Sequence, residues 1–259
     1  MNILVSNDDG INAEGIRTLI KALSEVPDIK IYVFAPDGER SATGHGITMS
    51  VPIMVKDEYI KGTEKAYSLS GTPADCVKFG IRHLRRQCDI VIDAVFAGIN
   101  HGGNIGSDVF YSGTLAAAAE GVLCNVPAVA VSIDTQRPTP EMFDNCKTII
   151  KDVAERIIPE MKIGSLLNIN FPAIPPNEIK GLKVTRLGPR EYNEKFDLLE
   201  NPKERKYYWY CGDVVVYDDL PDEVDVMAHQ QGYVTVTPLK MDLTDFELRK
   251  KVSEWNLKI

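Results

Sequence analysis

The sequence lacks the two glycine-rich patterns by which many α/β proteins bind nucleotide cofactors. Neither G-x-G-x-x-G nor G-x-x-x-x-G-K-[ST] occurs in the chain. These patterns mark loops that bind dinucleotides and nucleoside triphosphates. Dinucleotide oxidoreduction and nucleoside triphosphate hydrolysis are therefore poor explanations of this sequence, and no organic cofactor is expected.

Closely spaced cysteines are also missing. The five cysteines form no C-x-x-C pair and lie far apart along the chain, at positions 76, 88, 124, 146 and 211. An odd, scattered set indicates neither a disulfide framework nor a zinc site. We therefore expect five free thiols, as is usual in a reducing compartment.

An excess of positive charge and long apolar runs are absent as well. The chain has 29 Lys and Arg against 37 Asp and Glu, a formal net charge of −8. A binder of nucleic-acid polymers needs a basic face, although a small anion can still bind at a cation or a helix N-terminus. No segment approaches the ~20 apolar residues of a membrane-spanning helix, and no signal peptide is recognisable. The sequence therefore predicts a cytoplasmic protein that binds neither nucleic acid nor membrane.

Short apolar strands alternate with segments of helical periodicity over residues 1–176. This alternation predicts an α/β fold with a mainly parallel sheet and helices on its faces. The predicted strands cover residues 3–5, 29–35, 65–70, 89–96, 128–133 and 166–170. The predicted helices cover residues 13–25, 73–86, 114–123 and 141–158.

A proline-rich stretch at 171–176 separates this core from a predicted C-terminal extension, residues 177–259. The extension is expected to contain a long β-hairpin within 182–218, with strands at 207–210 and 214–217. A short helix, a returning strand and a terminal helix follow. The aromatic hairpin could simply cover the core, but tyrosine and tryptophan on an extended arm are typical of protein interfaces, so we favour a contact between subunits.

Two adjacent carboxylates, Asp8 and Asp9, follow the first predicted strand. Ligands of open α/β sheets bind at the carboxyl ends of the strands. Neighbouring carboxylates repel each other unless a positive charge lies between them, and Mg²⁺ or Mn²⁺ prefers such oxygen ligands. The alternative is a turn in which an aspartate caps the next helix. On Asp-Asp-Gly alone, the two interpretations have equal weight.

Two further polar turns are predicted at the same edge of the sheet. The turn at 36–46 contains Arg40, which could meet a phosphate, and Ser41, whose hydroxyl could bind a metal; a solvated loop is the alternative. The glycine-rich turn at 98–106 offers the amide groups of Asn100 and Asn104.

The segment Ser112, Gly113 and Thr114 opens a predicted helix of small residues. A helix N-terminus presents free amide N–H groups and positive partial charge to an anion. We therefore expect Ser112, Gly113, Thr114 and the nearby Asn104 to bind a substrate phosphate.

These motifs together resemble the SurE family (survival protein E), metal-dependent 5′-nucleotidases. The matching stretches cover most of the chain: NDDG at 7–10, APD at 35–37, RS at 40–41, GTP at 71–73, GIN at 98–100, Asn104, YSGT at 111–114, the stretch 117–121, LNINFP at 167–172 and QGYVTVTP at 231–238. One departure is Ala97, where a serine is expected before Gly-Ile-Asn.

The resemblance implies one divalent cation per subunit, Mg²⁺ or Mn²⁺, with Asp8, Asp9, Ser41 and Asn100 as its ligands. It also implies hydrolysis of nucleoside 5′-monophosphates to nucleoside and phosphate, with 3′-nucleotides and short polyphosphate as further substrates. It further implies a Rossmann-like three-layer core, and a C-terminal extension through which subunits form a homodimer or homotetramer and can exchange arms.

The expected chemistry is in-line attack on phosphorus by a water that the cation activates. Asn104 and the 112–114 helix end would stabilise the phosphoryl oxygens, so Asp8, Asp9 and Asn104 are the predicted catalytic residues. Asp9 could instead act as general base or covalent nucleophile, and the sequence leaves these alternatives open.

Two rival functions use a similar pocket. A receiver domain of signalling proteins also has paired aspartates after its first strand, but it needs a phospho-accepting aspartate near residue 55, and Asp57 has the pattern of a surface residue. A non-catalytic nucleotide sensor is the second rival.

Overall fold

Alternating strands and helices build one large central sheet in this computed structural model, which describes residues 1–200 and 205–255. Within these residues the sheet has nine strands in the order β3-β4-β2-β1-β5-β6-β7-β11-β8. They are β1 (Asn2–Ser6), β2 (Lys30–Pro36), β3 (Val55–Glu58), β4 (Lys65–Leu69), β5 (Ala94–His101), β6 (Ala128–Ile133), β7 (Leu166–Phe171), β8 (Leu182–Val184) and β11 (Val234–Leu239). A separate antiparallel pair consists of β9 (Lys195–Glu200) and β10 (Lys206–Cys211).

Four of the six α-helices in the described residues begin at a residue whose side chain caps them. The six are α1 (Glu14–Ser24), α2 (Pro73–Gln87), α3 (Gly113–Leu123), α4 (Pro140–Asp152), α5 (Asp225–Gln230) and α6 (Phe246–Glu254). The four capped helices are α2, α3, α4 and α6. At α2, Thr72 and Asp75 form a reciprocal capping box and Pro73 occupies the first turn, which satisfies amide groups that would otherwise lack partners.

Apolar side chains from the two faces of the sheet form two core layers. One layer buries α1 and α4, with residues such as Ile16 and Phe143. The other buries α2 and α3, with residues such as Val77 and Ala117. The strands from β4 through β2, β1, β5 and β6 to β7 are parallel. The predicted three-layer α/β fold with a mainly parallel sheet is confirmed.

The predicted strand at 89–96 is wrong in its bounds, since β5 runs from Ala94 to His101. The amide of Ile90 instead donates to the carbonyl of Leu84 at the end of α2, 3.0 Å away. The apolar residue Ile92 packs into the α2 and α3 layer. These apolar residues therefore complete a helix end, and the true strand extends into the glycine-rich segment, where Asn100 lies within β5.

The predicted partner of the aromatic strand is also wrong. β10 pairs with β9, whereas 214–217 contributes only a single bridge between Val214 and Tyr192. β8, at the start of the predicted hairpin, joins the central sheet beside β11. The alternation of residues along one strand does not specify which other strand it pairs with. The observed hairpin, β9 and β10, is therefore a different and shorter one than the hairpin predicted within 182–218.

β8 and β11 lie beyond residue 176 but belong to the central sheet. The division between a core of 1–176 and an extension of 177–259 stays a prediction. All five cysteines are unpaired, as expected. Among the residues described, none of the helices has both the length and the apolar character needed to cross a bilayer.

Candidate metal and phosphate site

Three turns that are distant in sequence meet where β1, β2 and β5 end. β1 lies between β2 and β5 in the sheet. The amide of Arg40 in the turn after β2 donates to the carbonyl of Asp8 at 2.7 Å. The amide of His101 at the end of β5 donates to Asp9 Oδ2 at 3.3 Å. These contacts bring the carboxylates, the Arg40–Ser41 turn and the glycine-rich turn to one edge.

Asp8 is a deeply buried carboxylate, with 4% of its surface exposed. Thr114 at the start of α3 donates its hydroxyl proton to Asp8 Oδ1. Burial raises the pKa of Asp8 to about 6; the Thr114 hydrogen bond opposes this rise, and the charge of Asp9 adds to it. A methyl group added at Gly113 would lie 2.8 Å from Asp8 Cβ, so the helix can approach Asp8 this closely only with glycine there.

Asp9 is only partly buried and faces the opening of the site. Burial raises the pKa of its carboxyl, the neighbouring His101 lowers it, and the charge of Glu39 raises it further. Among the described residues no lysine or arginine forms an ion pair with Asp8 or Asp9, although other surface carboxylates have such partners. Two acidic groups therefore lie together without a cationic side chain.

Asn100 is buried within β5, after Gly98. Gly98 has φ of +132° and its Cα approaches Val131 so closely that a Cβ would lie 2.3 Å from the Val131 carbonyl. The side-chain nitrogen of Asn100 donates to the carbonyl of Gly102 at 2.7 Å. This bond commits the nitrogen end of the amide, so Oδ1 is the end that can bind a cation.

Ser41 lies in an exposed position on the loop after β2. Its hydroxyl donates to Glu39 Oε1 at 2.8 Å, which leaves the oxygen's lone pairs free for another ligand. The guanidinium of Arg40 pairs with Asp37 at 2.9 Å and also donates to the carbonyl of Ser70. The Arg40 guanidinium therefore binds Asp37 and Ser70 in this structure and would have to leave these partners to meet a phosphate.

Asn104 lies in a buried polar network below the glycine-rich turn. Its side-chain nitrogen donates to Ser132 Oγ at 2.8 Å, and its backbone amide donates to Asn170 Oδ1 at 2.8 Å. Its carbonyl accepts from Asn168 Nδ2 at 2.7 Å. The sequence analysis missed Ser132, Asn168 and Asn170. Their signal was polar residues placed in otherwise apolar strands, which need partners when buried.

The first turn of α3 has few free amide groups. Ser112 caps the helix and accepts from the amide of Leu115 at 2.9 Å, and a backbone hydrogen bond from Thr114 reaches Asp8. The amide of Ala116 donates to the carbonyl of Ser112. The amide of Gly113 has no acceptor among the described residues, so it is the donor still available to an anion.

A second charged cluster, also missed, ties the glycine-rich turn to the C-terminal segment. Asp134 accepts from the amide of Gly103 at 3.1 Å and lies 3.1 Å from His229 Nε2. Arg190 pairs with Asp108 at 3.2 Å. These residues lie far apart in sequence, and no local pattern relates them.

The chemistry of the predicted ligand set suits a hard divalent cation. Asp8, Asp9, Ser41 and Asn100 offer carboxylate, hydroxyl and amide oxygens, which Mg²⁺ and Mn²⁺ prefer. In the described part of the chain, no three His, Cys, Asp or Glu side chains converge closely enough to hold a metal. The predicted ligand set contains only two of these residue types, Asp8 and Asp9, and its other two ligands are the neutral oxygens of Ser41 and Asn100. The residues present therefore fit the expected cation.

Comparison with known proteins assigns this arrangement to a family. Residues 3–194 match the family model described as survival protein SurE. The chain belongs to the SurE family. It is 44% identical to the 5′-nucleotidase SurE of Desulforamulus reducens over 98% of each chain. It is 42% identical to the 5′-nucleotidase SurE of Pelotomaculum thermopropionicum, over 98% of this chain and 95% of that one.

The fold agrees with a solved SurE structure. The crystal structure of the SurE protein from Aquifex aeolicus superposes with a TM-score of 0.81 at 32% identity, covering 98% of this chain and 99% of that one. In this SurE chain, the departure at Ala97 lies fully buried in β5, opposite Ser6 and Ala130. A serine at this buried position would need a hydrogen-bond partner. Alanine has no polar side-chain atom and needs none, so it is compatible with the packing.

Asp57 lies exposed on β3 at the far edge of the sheet, opposite Tyr67. β4 and β2 separate that strand from β1. A receiver domain needs a phospho-accepting aspartate near the paired carboxylates. This SurE chain has Asp57 on an edge strand instead, which agrees with the surface position predicted for it.

Proposed function

We propose that this chain is a divalent-metal-dependent nucleotidase that hydrolyses nucleoside 5′-monophosphates to nucleoside and phosphate. The observation that carries the proposal is the contact between Asp8 and the first turn of α3, made by the Thr114 hydroxyl. It brings a buried carboxylate and a helix N-terminus together at the edge where Asp9 and Asn100 also lie. The names of the relatives, 5′-nucleotidase SurE, support the same reaction.

Asp8, Asp9, Ser41 and Asn100 would hold one Mg²⁺ or Mn²⁺ per subunit. The cation, when bound, supplies Lewis-acid polarisation of a phosphoryl oxygen and a lower pKa for a bound water. Thr114 keeps the Asp8 carboxylate in place through its hydroxyl. Gly102 keeps the amide of Asn100 oriented with its oxygen available.

The substrate phosphate would bind at the start of α3. Gly113 contributes its unpartnered amide N–H, and the positive end of the α3 dipole favours the anion. Ser112 holds the first turn in helical geometry by capping it. Asn104 would contribute from the glycine-rich turn, whose position the Ser132 and Asn170 hydrogen bonds fix.

Asp9 is the residue best suited to move a proton. Its Oδ2 is held by the amide of His101, while the side chain remains partly exposed. As a general base it would take the proton of the attacking water at Oδ1. As a covalent nucleophile its carboxylate would attack phosphorus and displace the nucleoside, and water would then hydrolyse the acyl phosphate; acid quenching and labelling of Asp9 would detect this intermediate.

One assay tests the proposal. The metal-free protein is incubated with a panel of nucleoside 5′- and 3′-monophosphates and short polyphosphate, in EDTA and after adding Mg²⁺ or Mn²⁺, and released phosphate is measured. We expect hydrolysis of 5′-monophosphates only with metal, and weaker release from 3′-nucleotides and polyphosphate. Phosphate release in EDTA at the full rate would overturn the metal dependence, and no release under any condition would favour a nucleotide sensor.

Asp8→Asn and Asn100→Ala should each lower kcat/KM by more than about 100-fold, because each removes a ligand of the cation. Far-ultraviolet circular dichroism should match the parent protein. Asp57→Asn, an exposed carboxylate on β3, provides the control and should leave the rate unchanged.

A further inference from the structure

Glu120 is a buried carboxylate for which the proposed reaction has no role. It lies on α3, about two helical turns beyond Thr114, and only 2% of it is exposed. Its Oε2 lies 2.9 Å from His45 Nε2, and its Oε1 accepts from Lys78 Nζ at 2.7 Å. Burial favours a higher pKa for Glu120, but the bonds from His45 and Lys78 outweigh it and lower the pKa. Glu120 is therefore an ionised group held by two partners.

His45 belongs to the Ser41 loop, which we define as residues 37–48. This loop connects β2 to the segment before β3 and contains the predicted metal ligand Ser41. Its hydrogen bonds to the rest of the protein are, in chain order, Asp37 N to Leu69 O, Arg40 N to Asp8 O, the Arg40 guanidinium to Ser70 O, Gly44 N to Tyr111 O, His45 to Glu120, Gly46 O to Thr72 Oγ, and Thr48 N to Asp75. The loop is thus fixed at both ends of the Ser41 segment.

The hydroxyl of Ser41 makes its hydrogen bond inside the loop, to Glu39. The position of Ser41 relative to Asp8 therefore depends on how the loop backbone is held. On one side it is held by the Arg40 amide, which donates to the Asp8 carbonyl. On the other side, the amide of Gly44 donates to the carbonyl of Tyr111, and the pair of His45 and Glu120 holds the loop on α3.

We propose that Glu120 and His45 are positioning residues that dock the Ser41 loop on α3 and so keep Ser41 beside Asp8. This inference rests on the proposed function, because it takes Ser41 as a ligand of the cation. One rigid helix then sets the spacing of two ligands from different strands: Thr114 holds Asp8, and Glu120 holds the loop of Ser41. Residues that orient metal ligands typically change metal affinity by about 10-fold to 100-fold when they are replaced.

The test is His45→Ala, since His45 is partly exposed and its loss leaves the core packing intact. The dissociation constant for Mn²⁺ is measured on metal-free protein by electron paramagnetic resonance, and amide hydrogen exchange is followed by mass spectrometry. We expect the Mn²⁺ dissociation constant to rise by about 10-fold, with faster exchange over residues 41–46. The melting temperature of the metal-free protein should stay within about 3 °C of the parent's, a shift of less than about 1 kcal/mol for a chain of this size.

Two variants separate positioning from a general structural effect. His45→Gln places an amide nitrogen near the position of the lost ring nitrogen, so it should recover most of the Mn²⁺ affinity and the slow exchange. Met49→Ala, next to the loop and with 88% of Met49 exposed, should change neither quantity.

An unchanged Mn²⁺ dissociation constant in His45→Ala would overturn the inference, and so would weaker binding without faster exchange in the loop. Failure of the proposed function would be recognised separately, because the parent protein itself would then neither bind Mn²⁺ nor release phosphate from a nucleoside monophosphate.

Discussion

Asp8, a proposed ligand of the cation, is a residue whose burial destabilises the fold. Its carboxylate is buried next to Asp9, and burial raises its pKa from 3.8 to about 6. A carboxyl with a raised pKa in the folded protein stabilises the fold most below pH 3.8, where both states are protonated. This contribution is lost as the pH rises through about 6. At neutral pH, without metal, the ionised Asp8 therefore destabilises the protein.

We predict that Asp8→Asn stabilises the metal-free protein at pH 7 while it removes the activity. Asparagine keeps an oxygen for the Thr114 hydroxyl but carries no charge, so the gain should be on the order of 2 kcal/mol. Urea denaturation in EDTA at pH 7 and pH 4.5 measures the difference in free energy of unfolding between the variant and the parent. The difference between variant and parent should shrink at pH 4.5, where the parent's Asp8 is mostly protonated in the folded state.

Added Mn²⁺ gives the complementary measurement. A ligand that binds only the folded state raises its stability, so Mn²⁺ should stabilise the parent and have little effect on Asp8→Asn. Equal free energies of unfolding for parent and variant at pH 7 in EDTA would contradict the destabilisation that we assign to the buried charge of Asp8. Asp57→Asn, exposed on β3, serves as the control for a simple change of net charge.

Among the elements, the N-terminus of α2 connects local capping to the site. The hydroxyl of Thr72 accepts from the amide of Asp75 at 3.1 Å and donates to the carbonyl of Gly46 in the Ser41 loop at 2.7 Å. One side chain thus caps a helix and anchors a loop.

We predict that Thr72→Ala lowers the free energy of unfolding by about 1–2 kcal/mol, the usual cost of losing a threonine cap. Thr139 caps α4 through a longer bond of 3.4 Å to the amide of Met142. Thr139→Ala should therefore cost less, about 0.5 kcal/mol. Thr72→Ser keeps the hydroxyl and should lose little. Urea denaturation of the three variants compares them, and a larger loss at Thr139 than at Thr72 would contradict the argument.

The elements that the sequence predicted well are those defined by local signals. Thr72 and Pro73 mark the start of α2, and the small residues after Gly113 mark α3, because capping and helical spacing involve neighbours in the chain. The turns that carry Asp8 and Ser41 lie at one edge of the sheet with the end of β5, since parallel strands place their carboxyl ends there; the binding of a cation by Asp8, Ser41 and Asn100 stays a prediction.

What could not be predicted depends on contacts between distant residues. The apolar residues Ile90 and Ile92 have the pattern of a strand, but they pack against the end of α2. The partner of β10 is β9 because of tertiary pairing that no strand specifies alone. The pair of His45 and Glu120 joins a loop to a helix 75 residues further along the chain, and either residue alone is unremarkable in the sequence.

At the scale of the whole molecule, the antiparallel pair of β9 and β10 has large exposed apolar side chains. Trp209 is 68% exposed, Phe196 64% and Tyr208 63%, and the rings of Phe196 and Tyr210 lie 5.2 Å apart. Tyr208 and Tyr210 share one face of the pair, whereas Trp209 lies on the other. Large exposed apolar surface usually marks an interaction site, and aromatic residues are enriched in interfaces. A homodimer or homotetramer built through the C-terminal segment stays a prediction, and these side chains are the surface on which it can be tested.

We predict that Trp209→Glu dissociates the oligomer, because a buried, unpaired carboxylate in an apolar interface is strongly unfavourable. Analytical ultracentrifugation over a range of protein concentrations measures the mass of each form. Tyr59→Glu changes an aromatic residue that is 91% exposed outside the hairpin, so it should leave the mass unchanged. If Trp209→Glu keeps the parent's mass at every concentration, the subunits meet through another surface.

Since Asp8, Asp9, Ser41 and Asn100 all lie before residue 176, a dissociated variant should still bind Mn²⁺ with the parent's affinity. Weaker binding would indicate that a neighbouring subunit supports the site.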